Sequence, residues 1–132
     1  MDDQTVLVDK LRRHLEYSGT DPDAAHEMYH HDAVLEFPQS GERFEGVANF
    51  KEWRSQYPAD VRYRIRRTTA REDFVVVELS VSYDGGPWQY GVQLVEFRDG
   101  KVARERIYVT EGWEAPEWRV PWRSDTPADP PE

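Results

Sequence analysis

Apolar positions in the first third of the chain recur every three to four residues. Leu7, Leu11, His14 and Leu15 fall on one helical face, so Thr5–Tyr17 predicts an amphipathic helix. Asp21-Pro22-Asp23 reads as a helix start, with Asp21 able to cap and Pro22 suited to the first helical position. This second helix is expected to end near His30, because Ala33–Pro38 reads as a short strand closed by proline. Gln39–Gly46, "QSGERFEG", reads as a loop, and Val47, Phe50, Trp53 and Tyr57 mark a third helix stopped before Pro58. From Val61 the period changes to two. Val61, Tyr63 and Ile65 alternate with Arg62, Arg64 and Arg66, which predicts a half-buried strand. Phe74–Tyr83 and Trp88–Arg98 are strands joined through Asp84-Gly85-Gly86-Pro87, and Asp99-Gly100 turns the chain into Val102–Val109. The pattern predicts an α+β fold: a curved antiparallel sheet with three N-terminal helices on its concave face.

The long strands are apolar on both faces, and three helices can cover only one. The outer face around Tyr90, Val92 and Leu94 is therefore expected to meet a second copy, forming a homodimer. Residues 1–123 form the single expected domain. Trp113, Trp118 and Trp122 read as aromatic anchors packed onto it, and 124–132, rich in Pro and acids, as a disordered tail.

Charge narrows the function classes. The net charge is −9, and residues 1–60 carry 13 acids against 6 bases, 61–110 carry 7 against 9, and 111–132 carry 6 against 2. An acidic chain repels phosphate backbones, so nucleic acid is not an expected partner. Arg62, Arg64 and Arg66 read as a solvated ladder pairing with Glu78 and Glu96. No membrane span or signal peptide is read, and the absence of Cys leads to the expectation of a cytoplasmic protein.

"HEMYH" at His26–His30 contains H-E-x-x-H, which on a helix can place two zinc ligands together. At about 100° per residue, Ala24, Ala25, Met28 and Tyr29 form the core face, and His26 and His30 fall on its flank. A catalytic zinc needs both histidines in a cleft with a third protein ligand. A chance match on a solvated face is the expectation, with no metal and no cofactor.

The stretch "MYHHDAVLEFPQSGERFEGVANFKEW" resembles the nuclear transport factor 2-like superfamily, which includes ketosteroid isomerases and SnoaL-like polyketide cyclases. Asp32-Ala33, an apolar strand, Pro38, Gly41, Phe44 and Gly46 carry the resemblance, with "DGKV" at Asp99–Val102, and it covers about residues 5–120. It implies a cone-shaped α+β barrel with a pocket between helices and sheet, usually in a homodimer. "EAPEWR" in the tail is similar to a subgroup of SnoaL-like proteins. Ketosteroid isomerase uses an Asp base before the strand-ending proline and an oxyanion hole of a Tyr and a neutral Asp. Here Phe37 precedes the proline, the first-helix position falls at Arg13 or His14, and the oxyanion Asp falls at Gln93. The cyclases' acidic residue on the last strand falls at Ile107. The steroid-isomerase dyad is absent.

Alternation then selects other chemistry. If Gln93, Val95 and Phe97 point inward, Ala103, Glu105, Ile107 and Val109 should join them from the next strand. Glu105 is a carboxylate on an apolar face, where burial would raise its pKa and suit it to general acid–base work. Equally, it can be a rim carboxylate paired to the neighbours of Arg104 or to His14. Gln93 can orient a carbonyl or simply satisfy Glu105. Phe37, Trp53, Tyr63, Tyr83, Phe97 and Ile107 are candidate walls for a small apolar ligand. The expectation is a small-molecule-binding protein able to run cofactor-free isomerase, cyclase or dehydratase chemistry through Glu105, Gln93 and His14. The alternative is a non-catalytic ligand-binding or protein-interaction module.

Overall fold

The computed structural model describes residues 3–128. Helix α1 spans Asp3–Tyr17 and α2 spans Pro22–His26; strand β1 is Tyr29–Phe37, β2 is Glu42–Glu45, and α3 is Val47–Ser55. Strands β3 (Val61–Arg71), β4 (Phe74–Tyr83), β5 (Gln89–Arg98) and β6 (Lys101–Thr110) follow, and a 3-10 helix covers Glu117–Trp122. The six strands form one sheet in the order β2-β1-β6-β5-β4-β3. The α+β cone expected from the sequence is present, as a curved sheet that does not close.

Several boundaries differ from the expectation. The second helix stops at His26 instead of His30, and the strand begins at Tyr29 instead of Ala33. Asp21 caps this helix, its carboxylate accepting from the Ala24 N–H at 3.1 Å. Five residues make little more than one turn, so strand pairing decides the conformation from Tyr29 onward. Tyr29 pairs with Val102 and Val34 with Arg104, with an irregularity between. The segment expected as a loop contains β2, antiparallel to β1. β1 and β6 run parallel, so the sheet is mixed rather than wholly antiparallel.

β3 to β6 form the expected meander. A bulge between Glu96 and Phe97 places Phe97 opposite Val102. That irregularity turns Val102 into the core, fully buried, and leaves Ala103, expected inward, half-buried. The core lies between the helices and the inner sheet face. Leu7 and Leu11 of α1, Phe50 of α3 and Leu35 of β1 meet Val75, Val77, Val95 and Phe97 there. α1 packs on α2 and β3, and α3 on β1 and α2.

The tail differs most. Trp113, Trp118 and Trp122 are 79%, 72% and 79% exposed, so they do not anchor the segment to the body of their own chain. Residues 124–128 are exposed, and the last part of the expected disordered tail, 129–132, lies outside the described residues. The two carboxylates of the expected arginine ladder also have partners outside it. Glu78 binds Arg67 at 2.9 Å, and Glu96 binds Arg106 at 2.9 Å. A bulge between Ile65 and Arg67 shifts the register at Arg66, whose guanidinium lies over the Tyr90 ring at 5.5 Å. No described helix is long and apolar enough to cross a membrane.

Candidate functional site

On β6, Val109, Ile107 and Glu105 share the inner face, and β5 sets Gly91, Gln93 and Val95 opposite them. At about 3.3 Å per residue, Glu105 lies roughly 13 Å along the strand from Val109. Val109 is at the mouth of the cone and Glu105 is fully buried in its interior. The rim-carboxylate reading of Glu105 is thereby corrected, and its partners do not include His14. The Tyr29 hydroxyl donates to Glu105 Oε1, and Gln93 Nε2 donates to Glu105 Oε2 at 3.0 Å.

Arg54 extends this network. Its Nη1 donates to the Tyr29 hydroxyl at 3.3 Å and approaches His26 Nε2 at 3.1 Å. His26 Nδ1 lies 2.6 Å from the Pro22 carbonyl, so it carries the proton and leaves Nε2 to accept from Arg54. His14 Nδ1 likewise faces the Ala25 carbonyl at 2.5 Å, and the His14 ring meets the Tyr29 ring edge-on at 5.6 Å. His14, His26, Tyr29, Arg54, Gln93 and Glu105 thus form one polar cluster inside an apolar core.

Burial sets its charges. It lowers the His14 pKa to about 3, helped by the nearby Arg54 charge and opposed by the bond to Ala25. It also lowers His26. Both imidazoles are therefore neutral at physiological pH. Burial opposes the charge on Arg54, but Tyr29 and Glu105 outweigh it and hold Arg54 above its ordinary value. Glu105 is pushed up by desolvation, offset in part by Arg54 and the Tyr29 hydrogen bond.

Gln93 Oε1 is buried and has no partner among the described residues. Rotating the amide by half a turn would present that oxygen to Glu105. Nε2–H serves a carboxylate; Oε1 serves a carboxylic acid. Glu105 can thus change protonation without losing its bond to Gln93.

Above the cluster lies a cleft of about 480 Å³, lined by Phe37, Phe44, Trp53, Tyr57, Tyr83 and Val109, with Gln39, Ser40, Glu42 and Gln56 among the polar groups. Trp53 stacks on Phe44 at 5.1 Å and meets Phe37 at 5.8 Å, while Tyr57 stacks on Tyr83 at 6.4 Å. Burial and the neighbouring Tyr57 and Tyr63 raise the Tyr83 pKa to about 12, so its hydroxyl stays protonated. The indole Nε1 of Trp53 is buried without a partner among the described residues.

The structure divides the sequence candidates. Phe37, Trp53 and Tyr83 line the cleft; Glu105, Gln93 and His14 belong to the buried cluster. Tyr63 and Ile107 are partly buried against the core, and Phe97 is buried in it; none of the three lines the cleft. Tyr29, Arg54 and His26 are site residues that sequence reasoning misses. Arg54 follows Phe50 by four residues and so shares its inward face, a signal present in the sequence. The H-E-x-x-H histidines are separated by a helix end. His26 is buried rather than solvated, and His30 Nε2 faces the Arg98 carbonyl from β1 at 2.5 Å.

Comparison with known proteins agrees with this architecture. The sequence profile of the SnoaL-like domain matches residues 11–105. No curated protein matches the chain. Among solved structures, an NTF-2 like protein of unknown function from Burkholderia xenovorans is 35% identical over 93% of this chain and 97% of its own, with a TM-score of 0.83. A provisional ketosteroid isomerase from Kribbella flavida is 24% identical over 96% and 94%, with a TM-score of 0.85. An LEH-like epoxide hydrolase from M. tuberculosis shares the fold at 19% identity over 83% and 86%, with a TM-score of 0.70.

Proposed function

We propose that this chain, which belongs to the SnoaL-like domain family of the nuclear transport factor 2-like superfamily, binds a small, largely apolar organic molecule in its aromatic cleft. The observation that carries the reading is the cleft itself. Its five aromatic rings and volume of about 480 Å³ suit a compact hydrophobic ligand. The amides of Gln39 and Gln56 in the cleft lining favour a ligand that also carries a hydrogen-bond acceptor, such as a carbonyl or ether oxygen.

Catalysis is the second reading, and Glu105 favours it. A desolvated carboxyl group, with an amide able to serve either protonation state, suits reversible proton transfer. The reaction would be of the isomerase or lyase type, needing no cofactor. Glu105 does not line the cleft, so a substrate would have to pass Trp53 and Ile107 to reach it. If no such passage occurs, the chain is a ligand-binding or protein-interaction module and Glu105 is a structural acid. We also infer a homodimer through the outer face at Tyr90, Val92 and Leu94, which the helices leave uncovered.

Binding is tested by titrating the protein with small neutral aromatic and terpenoid compounds that carry a carbonyl, following heat by calorimetry. Saturable binding weakened at least tenfold by Trp53→Ala and Tyr83→Ala is expected. Absence of saturable binding up to millimolar concentrations, or binding indifferent to both substitutions, would refute the cleft as the site.

A further inference from the structure

Beyond Thr110 the chain leaves the sheet as an arm that its own body does not cover. Three tryptophans there are more than 70% exposed, although Glu117–Trp122 forms a defined 3-10 turn. Three open indoles on one ordered segment are a strong signal of an interaction surface. The course of the arm is also shared. The body through Thr110 is 110 of the 132 residues, so matches over 93% and 96% of the chain extend into the arm.

The point of departure indicates which surface it meets. A Cβ added to Gly112 would lie 3.4 Å from the Tyr90 ring, so the arm begins over the outer face of β5. That face carries Tyr90, Val92 and Leu94, with Tyr108 of β6 paired to Val92 and 38% exposed. Arg62 and Arg64 border it from β3, Arg64 lying over the Trp88 ring at 4.8 Å. The charges are complementary: residues 111–132 carry six acids and two bases, while 61–110 carry nine bases and seven acids. An acidic, tryptophan-rich arm thus starts beside an apolar face edged with arginine. Two outer faces paired about a twofold axis set each arm beside the other chain's face.

We propose that the arm crosses to a second copy of the chain and lays Trp113, Trp118 and Trp122 along that copy's outer sheet face, with Glu111, Glu114 and Glu117 towards its Arg62 and Arg64. The inference rests on the outer-face pairing proposed above. Each buried tryptophan removes roughly 150–250 Å² from water. Six indoles, three per arm, bring about 1,200 Å² before the acceptor faces are counted, which reaches the range of stable interfaces. Arginine beside indole adds cation–π attraction.

The test compares the full chain with its W113S/W118S/W122S variant by sedimentation equilibrium, and follows acrylamide quenching of tryptophan across dilution. The full chain is expected to be dimeric at micromolar concentration with protected tryptophans that become quenchable as it dissociates. The variant should keep its circular dichroism and dissociate at least 100-fold more readily. A variant that dimerises as tightly as the parent overturns the arm exchange and leaves outer-face pairing standing. Tryptophans protected equally in dimer and dissociated monomer would place the arm on its own chain, which also overturns it. A full chain that stays monomeric at 100 µM overturns the pairing and the arm together.

Discussion

Glu105 and His14 sit in one buried cluster yet should respond to pH in opposite directions. The folded state holds the Glu105 proton to higher pH than the unfolded chain does. Its contribution to stability is therefore full below the ordinary Glu value and is lost as pH rises towards the raised folded value. Glu105→Gln removes that loss, and the Gln93 amide can turn its oxygen to the new N–H. The variant should match or exceed the parent in stability at neutral pH, by a margin that widens as pH increases from 4. Denaturant midpoints across pH check this; a Gln variant less stable at pH 7 would make Glu105 a paired anion held by Arg54. His14 works the other way. Its folded pKa of about 3 lies below the ordinary 6.5, so the unfolded chain binds the proton first as pH falls. Stability present above pH 6.5 is lost down to about pH 3, by roughly 4 kcal/mol. His14→Gln keeps an N–H donor for the Ala25 carbonyl and should flatten the acid limb of the stability profile. An unchanged acid limb would contradict a neutral, buried His14. Strand alternation made Glu105 and Gln93 legible in the sequence. The link through Tyr29 to Arg54 was not, because it joins β1 to α3 across the cone and no local period reports such a contact.

At the scale of elements, the meander was readable because β3 to β6 alternate over most of their length, on either side of at most one bulge, and are joined by turns with Gly or Asp. Asp84 and Asp99 adopt positive φ there, with Gly85 and Gly100 beside them. The region around His30 misleads for the opposite reason. Met28 and Tyr29 suit the core face of a helix and of a strand equally, and pairing of Tyr29 with Val102 settles the matter in favour of the strand. β2 was hidden in a polar segment whose strand character comes from register with β1 rather than from its composition. α3 matters most for the site, because it carries both Trp53 to the cleft and Arg54 to the cluster. It starts at Gly46, whose φ of 91° favours glycine, and is pinned by the fully buried Phe50. Phe50→Ala should cost about 3–5 kcal/mol and weaken ligand binding with it. Urea unfolding checks the first part; a loss below about 1 kcal/mol would mean that α3 is held by other contacts.

At the scale of the whole molecule, the functional reading rests on the cleft at the mouth and on the outer face of the sheet. Pairing through the outer face predicts that Val92→Arg, which would bury an unpaired charge, converts a dimer to monomer without altering circular dichroism. Light scattering that reports no change in mass would remove Val92 from the interface. The cleft is the more direct guide to activity. Its wall was partly visible in the sequence as Phe37, Trp53 and Tyr83. Phe44 and Tyr57 joined it only when β2 and the end of α3 brought them to the same opening. The most direct test of the cleft as the binding site is the indole N–H resonance of Trp53, assigned by Trp53→Phe, during titration with a small neutral aromatic ketone. A saturable shift of this signal is expected, because the Trp53 ring lines the cleft and a bound aromatic ring changes its shielding, with the Trp88 signal unmoved. A ligand that binds and leaves the Trp53 resonance where it was would contradict the cleft as its site.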